Sequence, residues 1–191
     1  MVDTIRILGI DPGSRITGYG ILESVGSASR YIDSGCICTE SADFTERLNE
    51  IYSRVRALII DYEPQQMAIE KVFVHRNADS ALKLGQARAA AICGTFGSNL
   101  QMFEYAARAI KQAVVGRGAA DKVQVQHMVK AILKLHKLPS QDEADALATA
   151  ICHAHSYPLN NVLLSGSQDA NGRSSRPTRS ASRAAWRRTA G

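Results

Sequence analysis

Short apolar runs separated by turn residues fill the first forty or so positions of the chain. Ile5 to Ile10 is one such run, stopped by Asp11-Pro12-Gly13, and predicts a strand that ends in a turn. Thr17 to Val25 and Tyr31 to Thr39 predict two further strands, divided by Gly26 and a serine-rich turn. The period then changes. Leu48, Ile51, Tyr52, Val55, Leu58 and Ile59 recur at helical spacing and Pro64 ends the segment. Asp43 is placed to cap that helix, with Glu46 three residues on as its reciprocal partner. Met67–Glu70 predicts a short buried strand, Asn77 to the Gly94–Gly97 region a long helix, and Leu100–Tyr105 a fifth strand. Helices are predicted over 106–114, 120–136 and 141–156, divided by Gly116-Arg117-Gly118 and by Pro139. Three consecutive strands followed by alternating helices and strands predict an α/β domain over 1–160, its sheet flanked by helices.

Composition narrows the class. A chain of 191 residues with 45% hydrophobic content suits one core. Its longest apolar stretches, such as 89–93, fall far short of the roughly 18 residues of a membrane span, so no membrane association is expected. Met1-Val-Asp-Thr-Ile-Arg6 places charges where the apolar part of a signal peptide would begin. Cys36, Cys38, Cys93 and Cys152 show neither a C-x-x-C pair nor zinc-finger spacing. They are expected to be small buried hydrophobes in a reducing, cytoplasmic compartment.

The net charge of +5 is unevenly placed. Six arginines and a single acid, Asp169, lie from residue 165 onward, in a Ser, Arg, Ala-rich tail (165–191) whose composition predicts disorder. The remainder balances to zero, yet residues 71–130 hold nine basic groups against Asp79, Glu104 and Asp121. That segment is the electrostatic footprint to test for a polyanion.

Four carboxylates stand out by position. Asp11 and Glu70 end predicted strands, where ligand sites of open α/β sheets gather. Asp142 and Asp145 lie three apart near the start of the last helix and share a face. Each has an ordinary explanation, since Asp-Pro-Gly is a good turn and acids suit a helix N-terminus. If they converge, their repulsion raises pKa values unless cations neutralise them. Hard oxygen ligands in this number suit Mg²⁺, and two ions about 4 Å apart clamp an in-line phosphoryl displacement. No Ser-His-Asp set or cysteine nucleophile competes, and His127, His153 and His155 lack metal-ligand spacing.

Several blocks, in this order, resemble the RuvC family. They are Gly9-Ile-Asp-Pro-Gly-Ser14, Thr17-Gly-Tyr-Gly20, Ile69-Glu-Lys-Val-Phe73, Asn77-Ala-Asp-Ser-Ala-Leu-Lys-Leu-Gly-Gln-Ala-Arg88, Phe103-Glu-Tyr-Ala-Ala-Arg108, Lys111-Gln112, Lys122-Val-Gln-Val-Gln-His127 and Asp142-Glu-Ala-Asp-Ala-Leu-Ala148. The likeness spans about 5–156, and the tail lies outside it. It implies an RNase H-like fold with a five-stranded mixed sheet. It implies that Asp11, Glu70, Asp142 and Asp145 are catalytic metal ligands, holding two Mg²⁺ ions for which Mn²⁺ can substitute. It implies a homodimer that nicks opposed strands of a Holliday junction symmetrically, leaves 5′-phosphate and 3′-hydroxyl ends, and acts with RuvA–RuvB in recombination and repair. Two-fold symmetry suits a junction that presents two equivalent strands.

The resemblance also bears on binding residues. Phe73, flanked by Lys71, His75 and Arg76, has the pattern of a core aromatic at a strand end, but its family position implies stacking on an unpaired base. Arg76 is a candidate DNA contact beside it, and Lys111 and Lys122 match positions that approach backbone phosphates. Ala78, Ala81, Leu82, Gly85, Ala89 and Ile92 form a stripe that fits either packing on the sheet or the dimer seam. Three rival functions remain for the same residues. An RNase H-like nuclease acting on RNA–DNA hybrid or precursor rRNA would carry similar acids. An actin-like ATPase would need a second glycine-rich hairpin, and none is present. A non-enzymatic junction-binding scaffold gives no reason for four acids in a polyanion-binding region.

Overall fold

The computed structural model describes residues 4–25, 28–72 and 77–168, with side chains to 157. Strands β1 (Thr4–Asp11), β2 (Ile16–Val25) and β3 (Ala28–Cys38) form an antiparallel meander. Helix α1 (Phe44–Tyr62) crosses to β4 (Gln66–Glu70), which joins β1 in parallel, and α2 (Ala78–Cys93) crosses to β5 (Gln101–Tyr105), parallel to β4. The sheet order is β3-β2-β1-β4-β5. Three helices follow: α3 (Ala107–Val115), α4 (Lys122–Leu133) and α5 (Gln141–Gln168). The expected five-stranded mixed sheet flanked by helices is what forms. Among the described residues no helix is long and apolar enough to cross a membrane.

Strand alternation divides the core in two. Leu8, Ile10, Ile21, Met67 and Ile69 face α1 and α2, where they meet Ile51, Val55, Ala87 and Ala91. Ile7, Leu22 and Ala68 face the other way, against Leu147 and Ile151 of α5 and Ile110, Val125 and Val129 of α3 and α4. On that face Gly9 and Gly18 let α5 lie directly on the sheet. A methyl at Gly9 would stand 2.2 Å from the Ala146 carbonyl oxygen, and one at Gly18 would stand 1.9 Å from that of Asp142.

His153 of α5 is buried in the same layer. Its Nε2 donates to Gln66 Oε1 at 2.7 Å and its Nδ1 accepts from the Tyr105 hydroxyl at 2.7 Å, a pairing that assigns the proton to Nε2. Burial pushes the imidazole down to about 4.

Four details differ from the sequence reading. Asp43 caps α1 by accepting from the amides of Thr45 and Glu46, but Glu46 accepts from the Ser41 hydroxyl instead of returning to the Asp43 amide. That amide donates to Ser41 Oγ, which supplies the reciprocal half. Helix α4 stops at Leu133 because Lys134 turns left-handed (φ 53°) and its amide closes on Ala131. Helix α5 runs to Gln168, beyond the position 156 expected from periodicity. Of the four cysteines only Cys152 is buried, because Cys38 sits at the end of edge strand β3 and Cys93 on the outer side of α2.

Two predictions follow from this packing. Gly9→Ala costs about 1–3 kcal/mol, since helix backbone rather than a flexible side chain must yield, and lowers Tm by about 4–10 °C in a thermal melt. His153 must stay neutral in the folded state, so stability is lost as pH falls from 6.5 towards 4, where the unfolded chain takes up a proton that the folded one refuses. The full shift amounts to about 3 kcal/mol. In melts between pH 7 and 4.5, His153→Gln flattens this part of the slope.

Candidate active site

Parallel pairing sets Ile10 of β1 beside Ile69 of β4, so the next residues, Asp11 and Glu70, leave the sheet at the same end. Both follow the parity of Ile7 and Ala68, and both side chains therefore face α5. The close seating of α5 over Gly9 and Gly18 brings its first turns to that end. Asp11, Glu70 and Asp145 line one pocket of about 230 Å³ with Lys111 of α3 and Lys122 of α4, over a floor that includes Ile110 and Val125. Asp142 lies a turn earlier on α5, outside this lining, though its charge still acts on Asp11. Phe73 and Arg76 lie outside the described residues.

The charges confirm that the acids share one field. Burial, then the charges of Glu70 and Asp145, push the Asp11 carboxyl up to about 8, with Asp142 adding and Lys122 opposing. Burial and Asp145 also raise Glu70, against the pull of Lys122 and Lys111. Lys122 Nζ pairs with Asp145 Oδ2 at 3.2 Å. Burial draws the Lys122 ammonium down, but Asp145, Asp11 and Asp142 hold it above its ordinary value. Among the described residues no three acids stand close enough to share one ion as placed. By chemistry the set nonetheless fits a hard divalent cation: several carboxylates from different elements, partly desolvated and short of positive charge.

Glu143 divides from its neighbours. The sequence groups it with Asp142 and Asp145 as an acid at a helix start. Here its Oε2 accepts from the Ser140 amide at 3.0 Å and its Oε1 from the Ser34 hydroxyl at 2.6 Å. It anchors α5 to β3, whereas Asp145 lines the pocket. Sequence reasoning also passed over Arg88, whose Nε donates to the Glu70 carbonyl at 3.4 Å and whose terminal nitrogen pairs with Glu104. Its only signal was its place in the Asn77–Arg88 block.

Comparison with known proteins gives these residues their context. The profile of the family described as crossover junction endodeoxyribonuclease RuvC matches residues 7–153. RuvC of Photobacterium profundum is 58% identical over 151 residues, which is 79% of this chain and 87% of that protein. RuvC of Pseudoalteromonas translucida is 59% identical over 161 residues, 84% of this chain and 92% of its own. The structure of Thermus thermophilus RuvC in complex with Holliday junction substrate has a TM-score of 0.76 at 30% identity, over 82% of this chain and 96% of that one. The RNase H-like fold is thus established along with the identity of the chain, which belongs to the RuvC family of crossover junction endodeoxyribonucleases.

Proposed function

We propose that this chain resolves Holliday junctions as a homodimer, by Mg²⁺-dependent symmetric nicks in opposed strands that leave 5′-phosphate and 3′-hydroxyl ends. The observation that carries this reading is the gathering of Asp11, Glu70 and Asp145 with Lys111 and Lys122 in one pocket of a RuvC-family chain. Membership of this nuclease family implies a divalent metal. The finer assignment, two Mg²⁺ ions with Mn²⁺ as substitute, rests on the all-oxygen donor set of Asp11, Glu70, Asp142 and Asp145. Bound there, such ions activate a water and stabilise charge on the leaving 3′-oxygen.

The chain's own groups do the rest. Asp11, raised to about 8, gives up its proton to become a ligand. Lys122, at the N-terminal end of α4, is positioned to pass from Asp145 to a phosphate oxygen at the pocket mouth, and Lys111 reaches the same mouth from α3. Phe73 stacks on an unpaired base at the crossover and Arg76 contacts the adjacent backbone. The exposed stripe Ala78, Leu82, Gly85 and Ala89 of α2 forms the dimer seam, and residues 1–160 constitute the nuclease domain. RuvA–RuvB supplies branch migration, and the reaction takes place in the cytoplasm. The arginines of 165–191 either add salt-sensitive DNA affinity or remain a solvated end, which deletion of the segment and a salt titration of junction binding distinguish.

On a synthetic four-way junction with Mg²⁺, paired symmetric cuts are expected, with no cutting of linear duplex or RNA–DNA hybrid. Lys122→Ala lowers the nicking rate at least about tenfold with little change in Tm. Cutting confined to the hybrid overturns the substrate, and binding of the junction without cutting overturns the enzymatic reading.

The raised Asp11 carboxyl gives a second test with its own sign. Its fold-stabilising protonated form is complete below about 3.8 and is lost as pH rises through about 8, so without metal the ionised acid destabilises the fold at alkaline pH. With EDTA at pH 8, Asp11→Asn raises Tm by about 3–6 °C, and the gain shrinks towards pH 4. Mg²⁺ stabilises the wild type more than the variant.

A further inference from the structure

Helix α2 crosses the face of the sheet opposite the pocket, yet one of its side chains reaches the strand that carries Glu70. Arg88 is half-buried, donates from Nε to the Glu70 carbonyl at 3.4 Å, and pairs with the Glu104 carboxylate. Register explains why those two acceptors lie together. Ile69 is opposite Glu104 and Glu70 is opposite Tyr105, so one guanidinium spans the ends of both strands. Glu70 lies one residue beyond the last β4 position paired with β1, which ends at Ile10 and Ile69. Its carbonyl is at the end of the ladder, and a side chain from α2 supplies a donor there. The Glu70 carboxyl leaves the same residue on the other face, into the pocket.

We infer that Arg88 is a positioning residue, holding the end of β4 so that the Glu70 carboxylate keeps its place among the acids. The inference rests on the reading of Glu70 as a metal ligand. Arginine suits the role because its planar fork addresses two acceptors at once, which a lysine ammonium on a flexible stem does less well. Groups that orient metal ligands typically change metal affinity about 10–100-fold when altered.

The test uses the full chain and three variants, Arg88→Lys, Glu104→Gln and Glu70→Gln. Mn²⁺ affinity is measured by calorimetry without DNA, junction affinity in EDTA, and nicking as a function of Mg²⁺, with melting and sedimentation on each variant. Arg88→Lys is expected to weaken Mn²⁺ binding about tenfold and lower kcat, with junction affinity unchanged, and high Mg²⁺ restores most of the rate. Glu104→Gln gives a smaller change in the same direction. Glu70→Gln also weakens Mn²⁺ binding, but high Mg²⁺ does not restore its rate. A lowered Tm with unchanged Mn²⁺ affinity makes Arg88 merely structural and overturns the inference. So does weaker junction binding with unchanged Mn²⁺ affinity, which makes Arg88 a DNA contact. Unchanged Mn²⁺ affinity in Glu70→Gln overturns the metal-ligand reading itself, a failure separable from that of Arg88.

Discussion

The direct seating of α5 on β1 and β2 is the constraint from which the site follows. Where Gly9 and Gly18 leave no side chain, the carbonyls of Ala146 and Asp142 occupy the space a methyl would need. The helix answers with small residues of its own, Ala146 and Ala150, against the strand. Had larger residues separated the layers, Asp145 would stand a side chain's depth above Asp11. The strands need no further adaptation, because parallel pairing already aligns the ends of β1 and β4. One close approach therefore converts acids from three distant segments into neighbours.

That convergence is costly to the fold. The raised Asp11 and Glu70 carboxyls mark a site whose charges are favourable only when cations share it, and the lysines of α3 and α4 neutralise it in part. Such local conflict between stability and charge is a mark of functional sites rather than of cores. It also separates the catalytic reading from a binding scaffold. A passive polyanion-binding surface gains nothing from partly buried carboxylates, whereas a hydrolytic centre needs ligands that hold cations against DNA phosphates.

Much of this was legible in the sequence, and what was not has a physical reason. Period two and period 3.6 located the strands and most helices to within a few residues, because each pattern reflects the face an element buries, though α5 runs to Gln168 rather than 156. Misplaced ends, such as that of α4, depended on a left-handed Lys134, which composition does not announce. Asp11 and Glu70 could be picked out as strand-end acids, but their sharing a face required the pairing of β1 with β4. Glu143 stood beside Asp142 and Asp145 as one more acid at the start of the last helix, and its separate anchoring role emerged only once Ser34, more than a hundred residues away, was seen to bind it. Likewise Gly9 and Gly18 stood out only as members of the blocks that carry the family resemblance, since only the packed helix reveals what their missing side chains admit. The lysines were picked out by family resemblance, as no spacing distinguishes a phosphate-facing lysine from a solvated one.

A face of small residues allows close contact but fixes the lengthwise position of a helix poorly, because alanine resembles alanine at every turn. Polar contacts supply that register here. Glu143 fastens the start of α5 to Ser34 of β3, and His153 fastens a later turn between Gln66 and Tyr105. The spacings match. Asp145 to His153 is eight residues of helix, about 12 Å at 1.5 Å per residue. Glu70 to Gln66 is four residues of strand, about 13 Å at 3.3 Å per residue. With His153 held at the start of β4, Asp145 arrives opposite Glu70 at its end. A slip of α5 by one turn would move Asp145 about 5 Å along the sheet and strand a buried imidazole without its partners. The neutral histidine in the core thus sets the acid pair at the far end of the same two elements, and the same network that makes the fold sensitive to acid keeps the site aligned.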